Sequence, residues 1–294
     1  GSEMCIRDSP SAQLVTYRRH NMLVDCGEGT QLQLRRYGIS FARIDHIFLS
    51  HLHGDHFLGL PGLLSTMALH SVEGDVTVHT FAEGVDILRP LINAVCRERT
   101  YSLHWDVVEP GTTSTVFDDG SLRVTAFPLY HRVPCVGYRF DEVNKRRHID
   151  RESCDYYGVP NFLMNEIKDG ADLVLPDGVV VPNERLTTDP TPPASYAYCS
   201  DTAMDMRVAE AVKGVEVLYH ESTYGDDGLH KAAPRGHSTA RQAGEIARAA
   251  GAGTLVLGHY SKTIFDEARL ASEAAEVFDG KVIAGNEGIK IDLA

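Results

Sequence analysis

The sequence has no apolar run approaching the eighteen or so residues that a membrane-crossing helix needs, so no transmembrane span is expected. No Cys-X-X-Cys pair occurs among Cys5, Cys26, Cys96, Cys135, Cys154 and Cys199, which read as free thiols in a reducing compartment. Residues 1–25 lack a basic start followed by a continuous apolar core. No secretory signal is therefore read, and the cytoplasm is the expected location. Internal repeats and low-complexity tracts are absent too. Positive charge is scarce, with 28 Lys and Arg against 41 Asp and Glu and a net charge of −13. That balance argues mildly against a phosphate-backbone partner, although a local basic footprint matters more than the total. Arg18-Arg19-His20, Arg35-Arg36 and Lys145-Arg146-Arg147-His148 are the candidate footprints.

What is present is ordinary globular sequence. The 294 residues are 43% hydrophobic, enough for one large or two small domains with a full core. Against that background one stretch stands apart. Phe48-Leu49-Ser50-His51-Leu52-His53-Gly54-Asp55-His56 places three imidazoles and a carboxylate within six residues. These are ligand types that suit zinc and similar divalent ions. His51 and His53 flank one residue in an expected turn and can face one point. Asp55 and His56, beyond a glycine that lets the backbone fold back, can serve a second. The spacing suggests two adjacent metals, which in hydrolases lie about 3.5–4 Å apart.

Residues 1–10 show no periodicity, and Gly1-Ser2 resembles an expression scar, so they are set apart from a domain expected over 11–294. Leu14–Tyr17 and Met22–Asp25 read as a hairpin, and Asp25–Thr30 as a Gly-punctuated turn into a helix over 31–37. No Gly-Lys-Ser/Thr follows this turn, so it is no P-loop. A strand at Ile44–Leu49 leads into the histidine cluster, and Leu60, Leu63, Leu64 and Met67 recur at helical spacing behind it. Residues 141–193 are charged and turn-rich, and are expected to project as an insertion. Core-like strands resume at Tyr196–Cys199, Val215–Tyr219 and Leu255–Gly258, with further strands at Val282–Ala284 and Ile289–Ile291. Ser238 is the expected cap, and Gly251 the stop, of a helix running through Ala250.

The expected strands end on chemistry: at His51, His131, Asp201, His220 and His259. In sheets flanked by helices, sites assemble at such strand ends. A two-metal site follows, with His51, His53 and His131 around one ion and Asp55, His56 and His259 around the other. Asp201, with two oxygens, is the candidate bridge. Such a pair activates water and neutralises charge on phosphate oxygens, and Asp55 is placed to orient that water or take its proton. His220 or His237 is a candidate proton donor or phosphate contact, with Glu221 orienting the imidazole. The alternative for residues 236–239 is a helix-cap arrangement.

The motif His51-Leu52-His53-Gly54-Asp55-His56 resembles the signature of the metallo-β-lactamase superfamily. The neighbouring segments resemble one branch of it, the ribonuclease Z family. They are Leu23–Gln31, Phe57–Leu64, His220-Glu221-Ser222-Thr223 and Arg235–Ala243. The resemblance covers about residues 11–294 and implies an α/β fold, an αββα sandwich with a projecting arm at 141–193. It implies two zinc ions per subunit on the ligands named above, Asp55 as proton acceptor, and His237 and Glu221 assisting at the phosphate. It also implies a homodimer that cuts precursor tRNA. His220, Ser238 and Thr239, in the two catalytic loops, and Lys145, Arg146 and Arg147, in the arm, are the expected RNA contacts. The family's first core strand has no counterpart in residues 1–9. The reading is therefore a zinc-dependent endoribonuclease that removes tRNA 3′ trailers. Its rivals are another dinuclear hydrolase on this fold (a phosphodiesterase, arylsulfatase or lactonase) and a non-catalytic metal-binding scaffold.

Overall fold

The structure, a computed structural model, describes residues 10–143 and 145–293. The segment set apart at 1–10 thus lies outside the described residues except for Pro10. Two sheets face each other. The first contains β1 (Gln13–Tyr17), β2 (His20–Val24), β3 (Ile44–Phe48), β4 (Asp75–Thr80) and β5 (Ser102–Val107) in that order. β1 and β2 form the expected antiparallel hairpin, and β2 to β5 run parallel.

Beyond it come β6 (Ser114–Asp118), β7 (Leu122–Leu129) and β8 (Cys135–Glu142). The chain then runs through the segment 141–193, with short pieces β9 (His148–Ile149), β10 (Leu173–Val174), β11 (Val180–Val181) and β12 (Thr187–Thr188). It returns through β13 (Ser195–Cys199), β14 (Val217–Glu221), β15 (Thr254–Gly258) and β16 (Lys281–Ala284). The second sheet has the order β16-β15-β14-β13-β8-β7-β6, parallel from β13 to β16 and antiparallel from β8 to β6.

Three apolar layers fix this arrangement. Leu60, Leu63, Leu64 and Met67 are fully buried, because positions 0, 3, 4 and 7 of the helix Leu60–Leu69 fall on one face and meet the first sheet. Met22, Val24, Phe48, Val136, Tyr138 and Tyr198 fill the space between the sheets. Val208, Ala243, Ala247, Leu270 and Ala274 carry the helices Met206–Ala211, Ala240–Ala250 and Glu267–Ala275 onto the outer face of the second sheet. Helix, sheet, sheet, helix is the αββα layering. Each such Leu or Met contributes about 1.5–3 kcal/mol by leaving water. The segment 141–193 has its own small core of Cys154, Val159, Ile167, Leu173, Val181 and Leu186.

Some local expectations change. The helix cap is Thr239, not Ser238: its side chain accepts from the Gln242 amide while Gln242 reaches back, a full capping box. Ile289–Ile291 is not a strand; both isoleucines are exposed and the segment follows the edge strand β16 without pairing to it. β14 runs on through His220 and Glu221 instead of stopping before them. β5 and β6, which periodicity missed, are edge strands of alternating, half-exposed residues.

Candidate metal centre

The strand-end rule places the chemistry at one rim. His51 and His53 follow β3, His131 follows β7, Asp201 follows β13 and His259 follows β15. Asp55 and His56 sit in the single helical turn Gly54–Phe57. The loop after β2 lies directly against this turn: the Cys26 amide donates to the His56 carbonyl at 2.7 Å and the Gly59 amide to the Cys26 carbonyl at 2.9 Å. The approach is so close that a Cβ on Gly59 would stand 1.9 Å from the Gly27 carbonyl oxygen. Gly27 and Gly59 are therefore spacing residues for the motif, beyond the turn role read from sequence.

Two ligand groups emerge. In the first, His53 Nδ1 lies 3.1 Å from His51 Nε2 and 3.2 Å from His131 Nε2. Asp201 Oδ2 lies 3.6 Å from the former and 3.8 Å from the latter of those Nε2 atoms. In the second, His56 Nε2 and His259 Nε2 are 3.4 Å apart. Asp201 Oδ1 is 3.7 and 3.1 Å from them, and Asp55 Oδ2 is 3.8 and 3.9 Å. Ligands about 2.0–2.2 Å from a tetrahedral zinc stand roughly 3.2–3.6 Å from one another. The two oxygens of Asp201 thus face different groups, as a bridge requires.

Three of these rings have a partner for their other nitrogen. His51 Nδ1 is 3.0 Å from Ser50 Oγ, His131 Nδ1 is 2.7 Å from the Gly236 carbonyl, and His56 Nδ1 is 2.7 Å from Asp25 Oδ2. Each distal nitrogen spends its proton there, so bare lone pairs converge on the centre. Asp201 Oδ1 is buried with no hydrogen-bond partner. Converging lone pairs beside an orphaned carboxylate oxygen are stable only around a cation, and the residues present fit a divalent metal pair. Burial, with the crowding of neighbouring imidazoles, lowers the pKa of His51 and His53, and burial lowers that of His131, which keeps all three neutral for ligation. Burial would raise the Asp55 carboxyl, but His259 and His56 hold it well below the ordinary range, so it is ionised.

Asp25 is the residue the sequence reading passed over. It is fully buried, adopts a left-handed backbone (φ 58°), and accepts from the Ser50 amide, Ser50 Oγ, His56 Nδ1 and Tyr198 Oη at 2.7–2.8 Å. Its signal was the one used elsewhere: an acidic residue directly after an apolar strand, β2. Asp25→Ala strands these donors, at about 1–3 kcal/mol each. The variant is expected to lose about 3–5 kcal/mol of stability, read as a lowered denaturant midpoint; an unchanged midpoint would contradict the role given to Asp25.

Next to the metal ligands lies an acid–base pair. His237 Nδ1 is 2.8 Å from Glu221 Oε1, and a His237 ring nitrogen also comes within 4.8 Å of ligand atoms of Asp201 and His259. Burial would lower the His237 pKa, but the Glu221 carboxylate outweighs it and raises the pKa, which favours the protonated ring. Glu221 is fully buried; burial opposes its charge, yet His237, His259 and the Thr223 amide keep it ionised, at about 2. The loop carrying His237 also supports His131 through the Gly236 carbonyl. Gly236 has φ 71°, and a Cβ there would stand 2.8 Å from His131 Nδ1. Gly236→Ala is expected to weaken divalent-metal binding roughly tenfold or more, measured by chelator competition; wild-type affinity would contradict this coupling.

The structure gives the other expected RNA contacts these surroundings. His220 alternates with Glu221 along β14, so it points with Leu218 into the helix-covered core, fully buried, its Nδ1 2.7 Å from a backbone carbonyl. Ser238 is fully buried and donates to the Thr202 carbonyl, while Thr239 caps its helix. Lys145, Arg146 and Arg147 pair with Glu142, Asp169 and Asp189 at 2.6–2.8 Å. Residues 141–193 carry six Lys and Arg against eleven Asp and Glu.

A two-sheet sandwich with a histidine-rich pair of metal positions at its rim defines the metal-dependent hydrolases of the β-lactamase superfamily, and residues 20–186 match the model described as a beta-lactamase superfamily domain. The ribonuclease Z of Parabacteroides distasonis is 45% identical over 287 residues, 98% of this chain and 94% of that one. The ribonuclease Z of Bacteroides thetaiotaomicron is 41% identical over 278 residues, 95% and 88% of the two chains. The chain belongs to the ribonuclease Z family. In fold it is similar to the human tRNase Z short form, with a TM-score of 0.67 at 23% identity over 97% of this chain and 93% of that one. A metallo-beta-lactamase fold protein of Bacillus subtilis matches at TM-score 0.67 and 19% identity over 98% and 94%.

Proposed function

We propose that this chain removes 3′ trailers from tRNA precursors by hydrolysing the phosphodiester after the discriminator base. The observation that carries the reading is the convergence of bare imidazole nitrogens on both oxygens of Asp201, beside the buried pair Glu221–His237. The ribonuclease Z relatives at 41–45% identity supply the substrate class. His51, His53 and His131 would hold one ion and Asp55, His56 and His259 the other, with Asp201 able to serve both; the imidazole-rich set favours zinc, two per subunit. When bound, such ions supply the Lewis acidity that activates water and neutralises phosphate charge.

Asp55, ionised at the second position, takes the proton of the attacking water. His237, kept protonated by Glu221, gives a proton to the departing 3′ oxygen. The products are a tRNA with a 3′-hydroxyl and a trailer with a 5′-phosphate. A homodimer working in the cytoplasm completes the proposal; no helix among the described residues is long and apolar enough to cross a membrane. The test is end-group analysis of a cleaved precursor, using protein stripped of metal and reloaded with zinc. Cleavage should return with zinc and leave a 3′-hydroxyl. A 2′,3′-cyclic phosphate would mean attack by the ribose and would overturn the role of Asp55.

A further inference from the structure

We infer that Thr223 is a positioning residue that ties the second metal position to the proton donor through one hydroxyl group. Thr223 is fully buried two residues after β14. Its Oγ1 lies 2.7 Å from Glu221 Oε2, 3.1 Å from His259 Nδ1 and 3.2 Å from His237 Nδ1. A hydroxyl has one proton, and the nearby carboxylate is the strongest acceptor, so the O–H is directed to Glu221. One of its two lone pairs accepts the Nδ1 proton of His259. That fixes the His259 tautomer and leaves Nε2 bare, 3.1 Å from Asp201 Oδ1.

Glu221 is in turn fully occupied. Oε1 accepts from the Thr202 amide and His237, and Oε2 accepts from the Thr223 amide and hydroxyl. The other anchored ligands lean elsewhere: His51 on Ser50, His56 on Asp25 and His131 on Gly236. His259 alone among these shares its support with His237. It also has a left-handed backbone (φ 57°), a conformation costly for a residue with a Cβ and held only by surrounding contacts. Removing the Thr223 hydroxyl leaves a buried His259 N–H without an acceptor and loosens the carboxylate that aligns His237. Metal affinity and proton donation are thereby coupled. The donor half of this inference rests on the function proposed above, whereas the metal half does not.

The experiment compares wild-type protein with Thr223→Val, which keeps the shape, and Thr223→Ser, which keeps the hydroxyl. Zinc affinity is measured on metal-stripped protein by chelator competition. Turnover at saturating zinc is measured on a precursor tRNA and on bis(p-nitrophenyl) phosphate, whose nitrophenolate leaves without needing a proton. Thr223→Val should bind its weaker zinc about 10–100-fold less tightly. Its kcat on precursor tRNA should fall on the order of 10²-fold, and on the nitrophenyl ester by less than about tenfold. Thr223→Ser should stay within about threefold of wild type in all three readouts, since its hydroxyl retains the same partners. Unchanged zinc affinity in Thr223→Val, an equal fall on both substrates, or a serine variant as impaired as the valine variant would each overturn the inference. A wild-type protein that leaves precursor tRNA whole removes the donor half together with the proposed function; the zinc affinities still decide the metal half.

Discussion

Asp201→Asn should weaken both metal positions at once and abolish measurable RNA cleavage. The carboxylate presents Oδ2 to His51 and His131 and Oδ1 to His56 and His259, so one substitution removes charge from two ligand sets. Breaking a buried charge arrangement on one side costs about 3–5 kcal/mol, or roughly a hundred- to several-thousand-fold in affinity. The asparagine keeps the volume and one oxygen, so the fold should survive. Metal analysis after gel filtration should find both ions depleted, whereas a loss confined to one position would contradict the bridging role.

His237→Ala should reduce kcat on precursor tRNA by about 10²–10⁴-fold, the range for loss of a positioned acid or base. Its zinc content should stay at the wild-type level, because none of the seven ligand side chains is touched. The companion substitution is Glu221→Gln. In the wild type the Glu221 anion raises the His237 pKa, so activity that needs protonated His237 is present at low pH and is lost as pH rises through that raised value. Without the anion the alkaline limb should move to lower pH. Rate profiles on precursor tRNA at saturating zinc measure this directly. A limb that stays in place, or moves up, would remove His237 from the donor role.

Much of this site is legible in the sequence because ligand chemistry and strand ends are local signals. Four ligand-type residues in six positions announce a metal whatever the fold. His131, Asp201 and His259 each follow a recognisable apolar strand. What local sequence does not carry is which face a residue takes and what reaches it from afar. His220 and Glu221 are neighbours of equal promise, and only the continuation of β14 through both sends one to the metals and the other into the core. Asp25 reads as part of a turn until Gly27 and Gly59 bring its loop against the histidine motif. Lys145, Arg146 and Arg147 look like an RNA footprint in the linear chain. Two of their acidic partners, Asp169 and Asp189, lie 23 and 42 residues away and meet them only in the folded insertion. The exposed isoleucines at 289 and 291 show the opposite failure, an alternating pattern with no neighbouring strand to use it.

The most direct test of the whole account is to map, to the nucleotide, the cut made in a precursor tRNA with a 3′ trailer by the zinc-loaded protein, with Asp55→Ala beside it. The account predicts one cut, immediately after the discriminator base, that disappears in the Asp55 variant. Scattered cuts along the trailer, or a cut that persists when Asp55 is gone, would contradict it.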